Sequence, residues 1–190
     1  MSEFGYLFEE KELNSTEKIK GRSFATKLKH EQKLVNRFDS LKEVLPKIEK
    51  DKSIHLISSD NFGSIELLKL LCELSPLELN ITTWSLNQDF IDFIKSIKCT
   101  VNLYFDKSLK TRKNHLYAQL AELAIDNKIN LKVHHMLHAK ITCIKTKDFY
   151  ISIEASANYS NNQRIENFTI TENKELFIFH KKWMEEIIKK

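Results

Sequence analysis

Between residues 53 and 133, short apolar runs alternate with longer segments in which apolar residues return every three or four positions. A period of two marks a strand and a period near 3.6 a helix. Residues 54–57 predict a first strand, and Ser58-Ser59-Asp60-Asn61 with Gly63 a turn. Residues 65–74 then predict an apolar helix closed by Ser75-Pro76. A strand over 79–84 follows, with Asn87 as a cap for a helix over 89–97 that buries Phe90, Ile91, Phe93, Ile94 and Ile97. Residues 99–105 are strand-like, 113–127 helical with Leu116, Leu120, Leu123 and Ala124 inward, and 129–133 again a strand. Such alternation predicts an α/β fold: a mixed, largely parallel sheet flanked by helices on both faces.

The two ends of the chain are helical in pattern. Residues 174–190 predict an amphipathic helix with Leu176, Phe177, Phe179, Trp183, Ile187 and Ile188 on its apolar side. Over 23–48, Phe24, Leu28, Leu34, Val35, Phe38, Leu41, Val44 and Leu45 recur at roughly three-to-four spacing, which predicts an extra N-terminal helical segment until Pro46 disturbs it. Residues 1–16 are polar, with Phe4, Tyr6, Leu7 and Phe8 as anchors of an arm. The expected division is an N-terminal arm and helix over 1–50 and an α/β domain over 51–190.

Chemistry concentrates in residues 134–170. His138 and Lys140 stand two apart at the head of the apolar run Ile141-Thr142-Cys143-Ile144. Side chains two apart on a strand share a face, so an imidazole and an ammonium project together. A turn over 145–148 and a strand over 149–153 bring the chain back to Ala155-Ser156-Ala157-Asn158, where a hydroxyl and an amide again lie two apart. A nucleophile, a fixed positive charge and neutral donors at the open end of a hairpin suit an anionic phosphodiester. Taken singly these residues have plainer roles: Ser-Ala-Asn is a good turn, and Arg164 with Glu166 a good surface pair.

The ordered set resembles the phospholipase D-like superfamily, whose signature is His-x-Lys, a hairpin, Gly-Ser-x-Asn and a later Glu. His138, Lys140, Ser156 and Asn158 match, and Glu166 matches the downstream carboxylate. The signature's Asp, five residues after the Lys, is replaced by Lys145, with Asp148 the nearest acid, and its Gly is Ala155. The resemblance covers roughly residues 53–188 and implies a phospholipase D-like fold and a metal-independent phosphodiesterase. In that chemistry one histidine attacks phosphorus and a second protonates the leaving alcohol, while Lys and Asn hold the non-bridging oxygens. With one usable motif per chain, the second histidine is expected from a homodimer whose twofold axis passes through the site. Glu166 is then expected to orient His138.

Composition narrows the substrate. At 190 residues the chain fits one domain with a substantial core. No apolar run reaches membrane-span length and the start lacks a signal-peptide pattern, so a cytoplasmic protein without a membrane partner is expected. Its three cysteines, Cys72, Cys99 and Cys143, are scattered in apolar patterns as buried free thiols would be. A net charge of +4 decides little, but its distribution is uneven. Seven Lys or Arg lie between Glu17 and Arg37. Lys107, Lys110, Arg112 and Lys113 form a second cluster, and Lys145, Lys147 and Arg164 a third. The nucleic-acid-binding set expected is Lys107, Lys110, Arg112, Lys113, Lys145 and Arg164, which makes a nuclease, with DNA ahead of RNA, the leading reading. A catalytically silent nucleic-acid-binding or assembly module on the same fold is the alternative, and a phosphatidyl hydrolase the third. No cofactor is expected, and no metal: His134, His135 and His138 have no partner at a recognised ligand spacing. His180-Lys181-Lys182 repeats the His-x-Lys text on a helix, where such residues diverge.

Overall fold

The computed structural model describes residues 27–35, 41–45, 47–59, 62–160 and 164–186. The elements are β1 (Lys29–Val35), α1 (Leu41–Val44), β2 (Lys52–Ser59), α2 (Ser64–Cys72), β3 (Glu78–Thr83), α3 (Gln88–Ser96), β4 (Thr100–Asp106), α4 (Leu109–Arg112), α5 (Asn114–Ile125), β5 (Asn130–His134), β6 (Ile141–Lys145), β7 (Tyr150–Ala155), β8 (Ile165–Glu172) and α6 (Lys174–Glu186). The strands form one eight-stranded sheet in the order β1-β2-β8-β7-β6-β3-β4-β5.

The sheet is mixed, but it is not largely parallel. The pairs β1–β2, β3–β4 and β4–β5 are parallel. The four pairs β2–β8, β8–β7, β7–β6 and β6–β3 are antiparallel. The meander β6–β7–β8 sits in the middle of the sheet and separates the parallel flanks. Hydrophobic period reveals a strand but not its neighbour, which is why the proportion was misjudged.

A second correction concerns the N-terminal helix. Residues 29–35 form an edge strand in register with β2, Glu31 opposite Ile54 and Lys33 opposite Leu56. Hydrogen-bonding to β2 outweighs the loose three-to-four spacing, and Lys52 Nζ, 2.7 Å from Glu31 Oε2, ties the two strands together. Lysines at Lys29 and Lys33 suit a free sheet edge, because charge deters pairing with another chain. Only the four-residue α1 is helical among the described residues of this region. The predicted arm over 1–16 lies outside the described residues.

Alternation along the strands divides the core between the two faces. Ile54, Leu56, Ile81, Leu103, Phe105, Ile144, Ile151 and Phe168 meet residues of α2, α3 and α5 in the main cluster. On the other face Tyr104 and Cys143 meet Phe177, Met184 and Trp183 of α6 in a smaller one. Helices therefore cover both faces, as predicted. Asn87 caps α3 by accepting from Phe90 N at 3.0 Å, also as predicted. Asn173 does the same for α6, accepting from Leu176 N at 2.9 Å. The hairpin turn is held by Thr146 Oγ1, which accepts from the backbone N–H of Asp148 and Phe149.

Candidate functional site

Strand direction brings the chemistry-bearing residues to one end of the sheet. β3, β4 and β7 finish there, while β6 and β8 begin there. His138 and Lys140 immediately precede β6, Ser156 and Asn158 immediately follow β7, and Glu166 is the second residue of β8. All five line one open groove, with Lys113 and Arg164 on its rim. Neither His138 nor Lys140 lies within the strand itself. Lys140 is nonetheless registered by its carbonyl, which accepts from Ala155 N at 3.0 Å.

Lys140 Nζ is 2.9 Å from Nδ1 and 3.1 Å from Nε2 of His138, and it donates to the His138 carbonyl oxygen at 2.7 Å. Burial lowers the pKa of this ammonium, and the Glu166 carboxylate opposes that effect. A partly desolvated cation in a groove is a stronger anion ligand than one in water, because its field is less screened.

Asn158 is fixed from the β3 end. Its Oδ1 accepts from Trp84 N and Ser85 N, each at 3.2 Å, and from Thr83 Oγ1 at 3.4 Å. Three donors converging on one end identify it as the carbonyl, so the amide's N–H₂ end is the one that offers donors to a ligand. The next residue, Tyr159, is buried, bridges to Leu86 and bonds Thr142 Oγ1 at 2.5 Å, which locks the loop down. Burial also holds the Tyr159 phenol well above its ordinary pKa, so it is a structural hydroxyl.

Ser156 is pinned to β8. Its Oγ donates to Glu166 Oε2 and itself accepts from Asn167 N at 3.1 Å. The expected contact between Glu166 and His138 is not made: no hydrogen bond joins them, and Glu166 pairs with Ser156. The carboxylate thus sets the loop and biases Lys140 rather than steering the imidazole.

The basic residues separate into three groups. Lys113 is at the groove, donating to the Leu86 carbonyl at 2.6 Å, with its pKa lowered by burial and by Arg112. Arg112 lies 3.8 Å above the Trp84 ring and donates to the Trp84 carbonyl at 2.8 Å. Lys107 and Lys110 line an adjoining cleft. Lys110 and Arg112 belong to the short helix α4. Lys145 ends β6 at the opposite end of the strands, beside Tyr150, and does not line the groove.

Sequence reasoning missed several residues here. Trp84 packs against His138, ring centroids 5.7 Å apart. Asp106 is buried at the end of β4. It accepts from Ser108 N at 2.8 Å and from Ser108 Oγ, and through Oδ2 from Leu137 N at 3.0 Å, which places the turn before His138. Burial would raise the Asp106 pKa, but these hydrogen bonds and the Arg112 charge prevail and hold it low. A strand ending in a polar residue was the only available signal. Among the described residues no group of three His, Cys, Asp or Glu side chains is arranged to hold a metal ion, and no helix is long and apolar enough to cross a membrane.

The sequence matches no family model and no curated protein. The fold does have known counterparts. Nuc from Salmonella typhimurium, a phospholipase D family member, superposes with a TM-score of 0.51 at 17% identity, covering 71% of this chain and 93% of that one. Polyphosphate kinase from Porphyromonas gingivalis gives 0.55 at 13% identity over 72% of this chain and 26% of the kinase. TrmBL2, an archaeal chromatin protein with a novel mode of DNA binding, gives 0.50 at 11% identity over 74% of this chain and 52% of that one. The likeness establishes the fold: an α/β fold with a mixed sheet, as in a phospholipase D family member. It extends to proteins of unlike activity, so function has to be argued from the site.

Proposed function

We propose that this chain is a metal-independent phosphodiesterase, a nuclease acting on DNA ahead of RNA, with His138 as nucleophile. The observation that carries the reading is the convergence of His138, Lys140 and the Asn158 amide on one open groove rimmed by Lys113 and Arg164. A phosphodiester bound there places its non-bridging oxygens against Lys140 and Asn158. A ring nitrogen of His138 attacks phosphorus, a P–N bond forms, and the P–O bond to the leaving alcohol breaks as that oxygen takes a proton from a second histidine. That histidine then removes a proton from water, whose oxygen attacks phosphorus and breaks the P–N bond. Charge on the equatorial oxygens is stabilised by fixed donors, so the scheme asks nothing of a metal. An open basic groove suits a polyanionic strand better than a lipid acyl chain.

The second histidine is His138 of the partner subunit in a homodimer. Support comes from the face beside the groove. Ile165 on its rim is 73% exposed, and Ile57 and Leu34, on the same face of β2 and β1, are 41% and 63% exposed. An apolar patch adjoining an incomplete site suits an isologous contact.

A specific observation favours the alternative of a silent nucleic-acid-binding module. The residue in the signature's Asp position is Lys145, and it is remote from the groove. TrmBL2, a chromatin protein that binds DNA, shares the fold. Incubation with labelled single- and double-stranded DNA and RNA in EDTA separates the readings. The nuclease predicts cleavage in chelator that His138→Ala abolishes; binding with no turnover in any divalent ion favours the silent module.

A further inference from the structure

A second cleft shares its wall with the groove. Trp84 and His138 line both, and Lys107, Lys110, His135 and Met136 also line the second. The apolar side chains of its lining are Trp84 and Met136. Met136 is 82% exposed and has φ 62°, a left-handed backbone that few side chains adopt, in the turn Asp106 holds. Nothing in the core requires an exposed thioether there. The Trp84 ring is fixed by Arg112 at 3.8 Å, and Arg112 is fixed in turn by Ser108 Oγ at 3.1 Å. The result is a rigid flat surface beside the nucleophile, faced by a soft apolar side chain and flanked by two ammonium groups.

We infer that this cleft is a nucleobase subsite, taking an unpaired base of the nucleotide next to the scissile phosphate. The inference rests on the nuclease reading and names the substrate class: a single strand. A base has two flat apolar faces, which stack on Trp or Arg planes and pack against Met, while Lys107 and Lys110 meet the next phosphate. A base paired in a duplex cannot enter without leaving its partner, so single strands are preferred. Continuity with the groove sets the position, because a strand whose phosphate meets Lys140 passes directly over Trp84.

The test changes the substrate as well as the protein. Oligonucleotides of equal length and phosphate number, fully based or with one abasic nucleotide walked along the strand, are titrated in EDTA against His138→Asn, which does not turn over. Dissociation constants and tryptophan fluorescence are both read. The expected result is quenching by the fully based strand, lost in Trp84→Phe,Met136→Ser. Affinity should fall about 5- to 150-fold when the abasic position meets the cleft, the range a stacked base contributes. A matched duplex should bind more weakly than the single strand. Equal affinity for based and abasic strands, or for strand and duplex, overturns the subsite and leaves the nuclease reading intact. No binding of any nucleic acid, with turnover of bis(p-nitrophenyl) phosphate by wild type, overturns both the nucleic-acid reading and the subsite.

Discussion

His-x-Lys is written twice in this chain, at 138–140 and at 180–182, and the two copies reach opposite environments. His138 lies on a loop where β6 begins, exposed, with Lys140 folded against its ring. His180 lies within α6, 3% exposed. Trp183 Nε1 donates to its Nδ1 at 2.9 Å, so the ring proton is on Nε2, which faces Glu154 Oε1 at 3.0 Å with poor hydrogen-bond alignment. Lys182, the lysine of this copy, is exposed on the helix, and the intervening Lys181 pairs with Glu78 at 2.5 Å. One histidine can reach a ligand, and the other is consumed by its neighbours. What distinguishes them is the element: positions two apart diverge on a helix and converge at a strand end.

The sharpest way to break this comparison is to truncate both rings. His138→Ala should lower phosphodiester hydrolysis by at least about 10⁴-fold with an unchanged melting curve. His180→Ala should leave the rate per folded molecule intact and lower stability by about 2–4 kcal/mol, because Trp183 loses a buried acceptor. Denaturant titration alongside steady-state kinetics reads both outcomes; an active His138→Ala protein would put the chemistry elsewhere.

Next in size are the ammonium and the amide. Lys140→Met should cost roughly 10²–10³ in kcat, as loss of a transition-state donor does, whereas Lys182→Met should cost nothing in rate. Asn158→Asp keeps an acceptor for Trp84 N and Ser85 N but replaces the donors with negative charge. The same rate loss with little loss of stability is expected, and a stable, fully active Asn158→Asp protein would remove the amide from the site.

The parts of the site legible in the sequence were those on one hairpin. His138, Lys140, Ser156 and Asn158 keep their spacing because β6, its turn and β7 form one local unit, and Glu166 follows on the neighbouring β8. Trp84 and Asp106 escaped because they arrive from β3 and β4, and no period reveals that β3 lies beside β6. Lys145 was misjudged for the related reason that β6 carries it across the sheet, away from the end where the strand starts. The α/β order of elements was readable from residue 53 onward. β1 was not, since its apolar positions are sparse and its place in the sheet depends on β2.

Smaller effects sharpen the carboxylates. Glu166→Gln removes the charge that supports the Lys140 ammonium, so the Lys140 pKa falls further and the alkaline limb of the rate profile should move to lower pH. A rate loss of about tenfold at neutral pH is expected. An unmoved limb, with the acid limb shifted in its place, would restore a partnership with His138. Glu154 is the counterpart beside His180, its pKa held low by His180 against the effect of burial. A carboxyl depressed in the folded state stabilises above its unfolded pKa, and that contribution is lost as pH falls through the folded value. Thermal melts should therefore fall more steeply on acidification for wild type than for Glu154→Gln, and parallel curves would deny the coupling.

The central claim is that His138 carries the phosphoryl group. Quenching a reaction with internally labelled single-stranded DNA under alkaline denaturing conditions preserves a P–N bond, which acid then cleaves. The account predicts labelled protein in EDTA, acid-labile and mapping to the peptide that contains His138, and none in His138→Asn. Turnover with no labelled protein, or label on another residue, would contradict it.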